Sequence, residues 1–485
     1  MTKENEKHYK THQIWIKKGH RMYSYFENYC EFAKNMYNTT NFYYRQVYTS
    51  LTQGKELQPL QKEVLTTILN NIEKMNEVQQ ATYKKKLEKE KSKPLEKRKE
   101  IKCNSFELPT SKKPYVDYNF LDSLFKIISQ QDYRALPTQS SQWVMKTLFK
   151  NWKSFFASLA EYKQKPFKFK GKPKIPGYSR ASEKEVMFTN QDCVVKDEKY
   201  LKFPKTKVKL NIGKLGCVKG KLKMVRVIPK YGEYVVELVM DSPDEKEIVI
   251  ENERFMSIDL GNDNLATIVT NTGRRPVLVK GKNVKSVNQF FNKEKARLLG
   301  VLRHGKKTNE GPFTSKRLEK LYQTRFLKIK DIFHKASFRI VKMAVEENIS
   351  TIIIGQNKGW KQEVNIGKRN NQAFVHIPHS LLINMIKFKA AEHGIEVVVT
   401  EESYTSKASY LDGDEIPVYE KGKTHSFSGK RIKRGLYRSK NNLLLNADVN
   451  GAANIMKKAI RRLQYKNIEN ILSSVQLFQP QTLVI

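Results

Sequence analysis

The chain has 485 residues and carries 90 Lys plus Arg against 49 Asp plus Glu, a formal net charge of +41. Such an excess of cations repels itself in a compact state and is typical of proteins that bind polyanions, nucleic acid first and anionic membranes second. The 24 Phe and 23 Tyr supply enough apolar material for packed cores, which excludes wholesale disorder. At about 150 residues a domain, the length predicts roughly three domains.

Apolar runs and cysteine spacing favour an intracellular protein. No run of about 18 apolar residues predicts a transmembrane helix, and the N-terminus lacks the apolar core of a signal peptide. The four cysteines lie far apart with no CxxC pair, which indicates reduced thiols and neither a disulfide framework nor a zinc ribbon. We therefore expect a cytoplasmic protein that handles nucleic acid and makes no contact with membranes.

The pattern of apolar, charged and turn-forming residues changes along the N-terminal half. Residues 12–18 alternate weakly and predict one strand, whereas residues 21–163 carry aromatics at three- and four-residue spacing and predict a mainly helical domain. Within it, the highly charged stretch 83–102 predicts a solvated helical tip, a disordered insertion or a hold on a phosphate backbone. Pro and Gly at 166–180 end the helices. Short apolar runs from there to residue 240 predict a small β-barrel or open sheet, which the N-terminal strand can join.

The C-terminal half alternates strands and helices. From Arg254, three successive strand patterns precede two long helical patterns, and the buried strand STIIIGQ, a helix and the strand IEVVVTEE follow. This order predicts a mixed sheet flanked by helices. Residues 403–446 interrupt the alternation as a polar loop region, and residues 446–460 predict a closing helix.

Two aspartates stand where this sheet can place chemistry. Asp259 ends an apolar strand, and Asp448 opens the last helix. A carboxylate at the end of a buried strand is costly unless its charge is used. Two-metal phosphodiester hydrolysis requires carboxylates from separate elements, and Mg²⁺ prefers oxygen ligands. Each aspartate alone is also explained as a turn or helix cap, but together, in so basic a chain, they favour a nuclease.

Four blocks of the sequence resemble TnpB proteins, transposon-encoded nucleases related to the type V CRISPR effectors. They are IDLGNDNLATIV, GQNKGWKQEVNIGKRNNQAFVHIP, TEESYTSKASYLDGDEIP and FSGKRIKRGLYRSKNNLLLNADVNGAANI. The resemblance implies an α+β multidomain protein, with a RuvC/RNase H-like α/β nuclease domain and a wedge β-barrel into which a helical recognition domain is inserted.

On this resemblance the chain divides into seven parts. They are a first strand of the wedge β-barrel (1–20), a helical recognition domain (21–165), the wedge β-barrel (166–250), the first part of the RuvC-like domain (251–402), a cysteine-free target-nucleic-acid-binding insertion (403–446), the last RuvC-like helix (447–460) and a C-terminal tail (461–485).

The same resemblance implies an RNA-guided DNA endonuclease. It implies a guide RNA, a double-stranded DNA target cut beside a short flanking motif, two Mg²⁺ ions and a prokaryotic cytoplasmic setting. Two alternatives remain: a nuclease-inactive RNA-guided repressor, and an RNA-binding transposition accessory factor. The sequence leaves open the oligomeric state and whether the chain belongs to a transposon or a CRISPR locus.

Asp259 resembles the first RuvC carboxylate and Asp448 the third, whereas the second is missing. Most relatives place Glu where this chain has Gly355. Glu401 and Glu402 end the next strand, and adjacent strands lie about 4.8 Å apart, so either side chain can reach the same ions. We prefer Glu402, at the very end of the strand. Glu363 is a further candidate, and the alternative is that both strand-end glutamates are surface charges and the nuclease is inactive.

Two further expectations concern zinc and nucleic acid. Residues 403–446 contain no cysteine, and His425 alone cannot hold zinc, so we expect none. Cations beside Asp448 are candidates for positioning a phosphate chain, with an aromatic to stack a base, and a lysine-rich segment is a candidate for gripping structured RNA; the alternative for the first set is a solvated loop. These residues are Lys430, Arg431, Lys433, Arg434, Tyr437 and Arg438 in the first set, and Lys168, Lys170, Lys172 and Lys174 in the second.

Overall fold

The computed structural model of the chain describes residues 9–94, 98–217, 220–241, 252–356, 377–420, 423–462 and 474–485. The chain divides into two compact units, residues 1–243 and residues 244–485. One apolar core fills the N-terminal unit, and two cores lie in the C-terminal unit. No helix in the described ranges is long and apolar enough to cross a membrane.

Five helices dominate the N-terminal unit. They are α1 (Tyr23–Thr52), α2 (Pro59–Lys91), α3 (Tyr118–Ile127), α4 (Gln131–Ala135) and α5 (Thr138–Gln164). Trp152 of α5 is buried, and its indole N–H donates to Asn41 Oδ1 of α1 at 3.1 Å, which ties the two helices together. The charged stretch 83–102 is helical as far as Lys91, since α2 extends through its first half.

Two small antiparallel sheets complete the N-terminal unit. A four-stranded sheet has the order β1-β7-β6-β2, and a three-stranded sheet the order β3-β4-β5. The strands are β1 (Tyr9–Ile16), β2 (Val186–Thr189), β3 (Val194–Lys196), β4 (Tyr200–Lys202), β5 (Lys209–Asn211), β6 (Leu222–Lys230) and β7 (Glu233–Asp241). Because β1 pairs with β7, all five helices are inserted between the first strand of this sheet and the others. Both sheets have linear strand orders over the described residues, so the β-barrel stays a prediction.

A six-stranded mixed sheet forms the centre of the C-terminal unit, in the order β12-β11-β8-β9-β10-β16. The strands are β8 (Phe255–Asp259), β9 (Asn264–Thr270), β10 (Val277–Lys280), β11 (Thr351–Gly355), β12 (Glu396–Thr400) and β16 (Gln481–Leu483). Strand β11 is parallel to both β8 and β12, so these three strands end at one edge of the sheet. The mixed α/β architecture agrees with the sequence prediction.

Helices cover both faces of this sheet. They are α6 (Lys282–Leu302), α7 (Lys316–Glu346), α8 (His379–Ala391), α9 (Ala447–Arg462) and the short α10 (Ser474–Leu477). Met256 and Ile258 of β8 share a core with α7 and α8, whereas Phe255 of β8 and Ile353 of β11 share a core with α9. Side chains alternate along a strand, so Asp259 and Gly355 belong to the α9 face.

Two parts of the C-terminal unit differ from the sequence prediction. The region 403–446 is not entirely loop, because it contains a three-stranded antiparallel sheet of β13 (Lys430–Lys433), β14 (Leu436–Arg438) and β15 (Leu444–Asn446). The segment 461–485 is not merely a tail, since β16 pairs in parallel with β10 and completes the central sheet. Each of these four strands has only three or four residues, which is too short for a clear alternating pattern.

Candidate active site

The parallel strand ends bring the candidate residues together. Asp259 is the last residue of β8, and Gly355 the last of β11. Ile354 pairs with Ile258, and Gly355 pairs with Thr400 at the end of β12. Glu401 and Glu402 follow directly, so one edge of the sheet presents all three strand ends to the same space.

Helix α9 crosses this edge in the order of the strands. Four residues spaced three or four apart form one stripe along the helix, since that spacing returns to one helical face. Each contacts a different strand or strand end in turn: Asp448 with Asn264 of β9, Gly451 with Asp259 of β8, Ile455 with Gly355 of β11, and Lys458 with Glu401 after β12. The helix therefore links Asp448 to the strand-end carboxylates. Its position is fixed by Ser257 of β8, whose hydroxyl donates to the Ala452 carbonyl at 2.7 Å.

Gly451 makes the room that Asp259 occupies. A Cβ built on Gly451 would lie 2.7 Å from Asp259 Oδ2, closer than real Cβ contacts come. The carboxylate of Asp259 therefore lies directly against the backbone of α9, one turn after Asp448. Any side chain at position 451 would push the carboxylate away.

Gly355 makes a second space, and the carboxylate of Glu402 lies in it. A Cβ on Gly355 would lie 2.7 Å from Glu402 Oε2 and 2.5 Å from Ile455 Cδ1. Glu402 thus occupies the volume into which a longer side chain at position 355 would extend. The space beside Gly355 therefore holds a carboxylate.

Glu401 has a different environment. Its Oε1 accepts the backbone N–H of Ser403 at 2.6 Å, and its Oε2 pairs with Lys458 Nζ. Although burial raises the pKa of Glu401, these hydrogen bonds outweigh it, and the pKa lies below the usual value. Glu401 therefore stabilises the turn after β12 and the middle of α9. Glu363, the remaining candidate, lies outside the described residues.

Two of the carboxylates are destabilised in their charged form. Burial, and next the charge of Asp448, raise the pKa of Asp259 to about 7, against a smaller opposing effect of Arg431. Burial, and next the charge of Asp259, raise the pKa of Glu402 to about 8. The negative charge of a neighbouring carboxylate thus adds to burial in raising both pKa values, and perturbed pKa values of this kind cluster at functional sites.

Asp448 is held by neutral and cationic donors. Asn264 Nδ2 donates to Asp448 Oδ2 at 2.8 Å, and Arg431 Nη2 lies 3.3 Å from Oδ1. Lys280 donates to the other end of the Asn264 amide at 3.2 Å, which fixes the amide orientation. The backbone N–H of Asp448 is capped by Asn446, so its side chain is not needed as the helix cap.

Sequence reasoning missed Asn264, Gly451 and Lys458. The signal for Gly451 and Lys458 was present, because they lie three and ten residues after Asp448 on one helical stripe. Asn264 carried a weaker signal, as the first residue of the strand after Asp259. Only the register of the antiparallel pair β8 and β9 places its amide near α9.

The donor set suits magnesium chemically. Asp259, Glu402 and Asp448 offer carboxylate oxygens, the ligands that Mg²⁺ prefers, and a cation would relieve the repulsion that raises two of their pKa values. Within the described ranges, no three His, Cys, Asp or Glu residues stand close enough to hold one ion. Mg²⁺ is commonly held by one or two carboxylates together with water and substrate phosphate, so the set still fits the ion.

The region 403–446 is held together by hydrogen bonds to two aspartates. Asp414 Oδ2 accepts the backbone N–H groups of Ser409 at 2.8 Å and Ser428 at 3.0 Å. Asp412 Oδ2 accepts the Ser409 hydroxyl at 2.5 Å and the backbone N–H of Lys440 at 2.8 Å. The described part of this region therefore has a side-chain network that links its separate segments to one another.

The basic candidates fall into two groups. In the C-terminal unit Lys430, Arg431, Lys433 and Arg434 are exposed, and Arg438 is half-buried; Arg431 pairs with Asp448, and Arg434 with Asp263. In the N-terminal unit Lys168, Lys170, Lys172 and Lys174 are exposed, and Lys168 pairs with Glu161 at 2.8 Å.

The prediction that Tyr437 stacks on a base is wrong. Its side chain is only 1% exposed, and its hydroxyl donates to the Lys407 carbonyl at 2.7 Å. A Cβ on Gly429 would lie 2.6 Å from ring atom Cε1 and 2.7 Å from the hydroxyl oxygen, so the Gly429 backbone lies directly against this side chain. Tyr437 is therefore a buried packing residue of the short sheet formed by β13, β14 and β15.

Two family models match the two parts of the chain that carry the candidate site. Residues 235–361 match the family OrfB_IS605, described as a probable transposase, and residues 379–455 match the family Cas12f1-like, TNB domain. The first match contains Asp259 and Gly355, and the second contains Glu402 and Asp448. The resemblance to the TnpB family is confirmed.

Individual relatives are distant. The TnpB-like protein ORF457 of Acidianus two-tailed virus is 28% identical over 216 residues, and the match spans 43% of this chain and 43% of that relative, less than half of its length. Among solved structures, a Cas12f1–sgRNA–target DNA complex is 13% identical with a TM-score of 0.38, over 79% of this chain and 95% of that one. A CRISPR–Cas12f ternary complex is 12% identical with a TM-score of 0.31, over 84% and 83%.

Proposed function

We propose that this TnpB-family chain is an RNA-guided DNA endonuclease with a RuvC-like nuclease domain in its C-terminal unit. It binds a guide RNA and a double-stranded DNA target, and it cuts guide-complementary DNA beside a short flanking motif. The two family matches support the class of protein, and the net charge of +41 supports a polyanionic partner. The β-sheets and inserted helices of the N-terminal unit serve as the wedge β-barrel and the recognition domain.

One observation carries the nuclease assignment. The Glu402 carboxylate occupies the space beside Gly355, on the sheet face that also carries Asp259. A chain that had simply lost its second carboxylate would have no reason to place another acidic side chain in this space, because taking a carboxylate out of water is costly. The position of Glu402 instead supplies the third carboxylate of the set.

In this proposal Asp259, Glu402 and Asp448 hold two Mg²⁺ ions, which when bound activate water and stabilise the leaving oxygen. The protein's own groups prepare the site. Asn264 orients Asp448, and the ion pair of Lys458 with Glu401 keeps Glu401 out of the ligand set. Arg431 moves from Asp448 to the phosphate chain when DNA is bound, because a substrate phosphate is a second anion within its reach.

The exposed cations of β13 supply nonspecific affinity. Lys430 and Lys433 contact the phosphate backbone, and the lysines at 168–174 bind the guide RNA through its backbone and 2′-hydroxyls. Base pairing with the guide then selects the target, while the protein reads only the short flanking motif.

The test is guided cleavage by the protein and its own RNA. The protein is co-expressed with its flanking locus, the bound RNA is sequenced, and a matched plasmid is incubated with Mg²⁺. We expect guide-dependent cuts that Asp259→Ala and Asp448→Ala abolish while leaving guide and target binding nearly intact. Cuts that persist in both variants would contradict the assignment of the site.

The repressor remains the second candidate, because the described residues contain no preformed group of three metal ligands and Arg431 pairs with Asp448. Tight guide-dependent binding without cuts, over a range of flanking motifs, would establish it. An RNA-binding accessory factor would instead copurify with RNA that has no variable end segment.

A further inference from the structure

Four aromatic rings cluster on the segments that follow Glu402. The ring of Tyr404 lies at the centre, with its centroid 5.0 Å from His425, 6.0 Å from Phe427 and 6.4 Å from Tyr419. None of the four is buried, and Tyr419 is 60% exposed. They belong to neither apolar core of the C-terminal unit, so packing of the fold does not account for them.

The backbone of Tyr404 is strained and firmly held. Its φ is +68°, in the left-handed region that a bulky side chain rarely adopts. The Tyr404 carbonyl accepts the N–H of Ala408 at 2.9 Å, and buried Asn454 of α9 donates to the carbonyls of Thr405 and Ala408 at 2.9 and 2.7 Å. Helix α9, which carries Asp448, therefore holds this turn in place. Strain that is held in this way is typical of functional positions.

The surroundings of the rings fit a nucleic-acid strand. Residues 403–446 contain nine Lys or Arg and four Asp or Glu, a net charge of +5. Exposed aromatic rings among cations are the usual means of binding single strands, because every base has a face on which to stack. At most about 7 Å of chain separates the Cα atoms of Tyr404 and Glu402, so the ring and the carboxylate project from neighbouring backbone positions.

We propose that Tyr404 and Tyr419 form a stacking platform for an unpaired base of the DNA strand that reaches the carboxylates, and that this platform fixes where the strand is cut. The cutting part rests on the proposed nuclease function, whereas the stacking part does not. The sequence assigned base stacking to Tyr437; this proposal gives that role to Tyr404 and Tyr419, which lie 33 and 18 residues earlier in the chain.

Fluorescence of a stacked base tests the platform directly. The protein with its bound RNA, carrying Asp259→Ala to prevent cutting, is titrated with single-stranded DNA that holds 2-aminopurine at successive positions. We expect quenching at one or two positions, which Tyr404→Leu and Tyr419→Leu each remove. Affinity should fall roughly 5-fold or more in each variant. The dependence of affinity on salt should stay unchanged, because no charge is lost.

Matched variants separate stacking from folding. Tyr404→Trp keeps a ring and should restore quenching, and Tyr419→Leu does not alter the strained position. Phe388→Leu removes an aromatic of α8 that is 46% exposed outside the cluster and should change nothing. Quenching and affinity that persist in both tyrosine-to-leucine variants would overturn the platform. Quenching that occurs with 2-aminopurine in RNA strands but not in DNA strands would overturn its assignment to DNA.

The cut position supplies the second readout. In protein with Asp259 intact, Tyr404→Leu should spread the cut over neighbouring phosphates, whereas an unchanged single position would overturn the role in placing the cut. If the unmodified protein makes no guided cuts, the proposed nuclease function fails, and the fluorescence result still decides whether the rings bind a base.

Discussion

A Cβ on Gly355 and the carboxylate oxygen Oε2 of Glu402 would be 2.7 Å apart, so a side chain at position 355 would force the Glu402 carboxylate to shift. Ile455 Cδ1 would lie closer still, at 2.5 Å, so glycine at 355 leaves room for both side chains. The strands that position these two residues are neighbours, because β11 and β12 pair in parallel up to Gly355 and Thr400, and Glu402 follows two residues later.

Gly355→Ala should displace Glu402 and slow DNA cutting by about 100-fold, the usual effect of moving a catalytic group by about 1 Å. Gly355→Glu combined with Glu402→Ala moves the carboxylate back to β11 and should recover part of the activity that Glu402→Ala loses. Single-turnover cleavage of a matched plasmid measures both. A Gly355→Ala protein with full activity would show that Glu402 does not need its observed position.

Gly451→Ala should also slow cutting, because the new methyl group would meet Asp259 Oδ2 at 2.7 Å. The control is Gly300→Ala on α6, where the new methyl group meets no atom within 4 Å. That substitution should raise the free energy of unfolding by about 0.5–1 kcal/mol and leave cutting unchanged. Equal effects of the two substitutions on cutting would contradict the role of Gly451.

Asp259→Asn should change how stability depends on pH. Folding raises the pKa of Asp259 to about 7 from about 3.9, so the folded state binds the proton more tightly and loses stability as pH rises through this range. Asparagine cannot ionise and avoids that loss. Without metal, the local stability of the variant relative to the unmodified protein should be about 1–3 kcal/mol greater at pH 8.5 than at pH 5.5.

Hydrogen exchange of β8 and α9 peptides in EDTA, compared with the unmodified protein at each pH, measures this gain. The comparison at equal pH removes the intrinsic effect of pH on exchange. Identical protection of the two proteins at pH 8.5 would mean that Asp259 is not destabilised as a charged group.

Lys430→Gln and Lys433→Gln should each weaken DNA binding and lower the slope of log affinity against log salt by about one. Both lysines are exposed on β13. The control Lys335→Gln removes an equally exposed lysine of α7 that pairs with Asp331. Fluorescence anisotropy with labelled target DNA between 50 and 200 mM salt, roughly the range over which phosphate contacts matter, measures the slope. A slope that all three variants leave unchanged would exclude β13 from the interface.

Sequence patterns predicted the central sheet well because its strands are apolar and bounded by polar turns. They also placed Asp259 and Asp448, since one ends a strand and the other opens a helix. The short strands β13 to β16 escaped prediction because three or four residues carry too little periodicity. Tyr437 was misassigned because its neighbours in the chain are cations, while its burial depends on Gly429 and Lys407, which only the folded chain brings together.

The choice between Glu401 and Glu402 also needed the structure. The two are adjacent at a strand end, and sequence alone gave only a weak preference for Glu402. Lys458 decides the arrangement, because it lies ten residues after Asp448 on α9 and pairs with Glu401. No local pattern in the chain joins residues 401 and 458.

Guided cleavage by Glu402→Gln and Glu401→Gln proteins shows which of the two glutamates acts as the second carboxylate. Both substitutions keep the side-chain shape and remove one charge. Glu402→Gln should slow single-turnover cutting at least about 100-fold with target binding intact, because a proposed metal ligand is lost. Glu401→Gln should cut within about 10-fold of the unmodified protein, since only its ion pair with Lys458 of α9 is weakened. Full activity of Glu402→Gln, or loss of cutting in Glu401→Gln alone, would contradict the assignment of the second carboxylate.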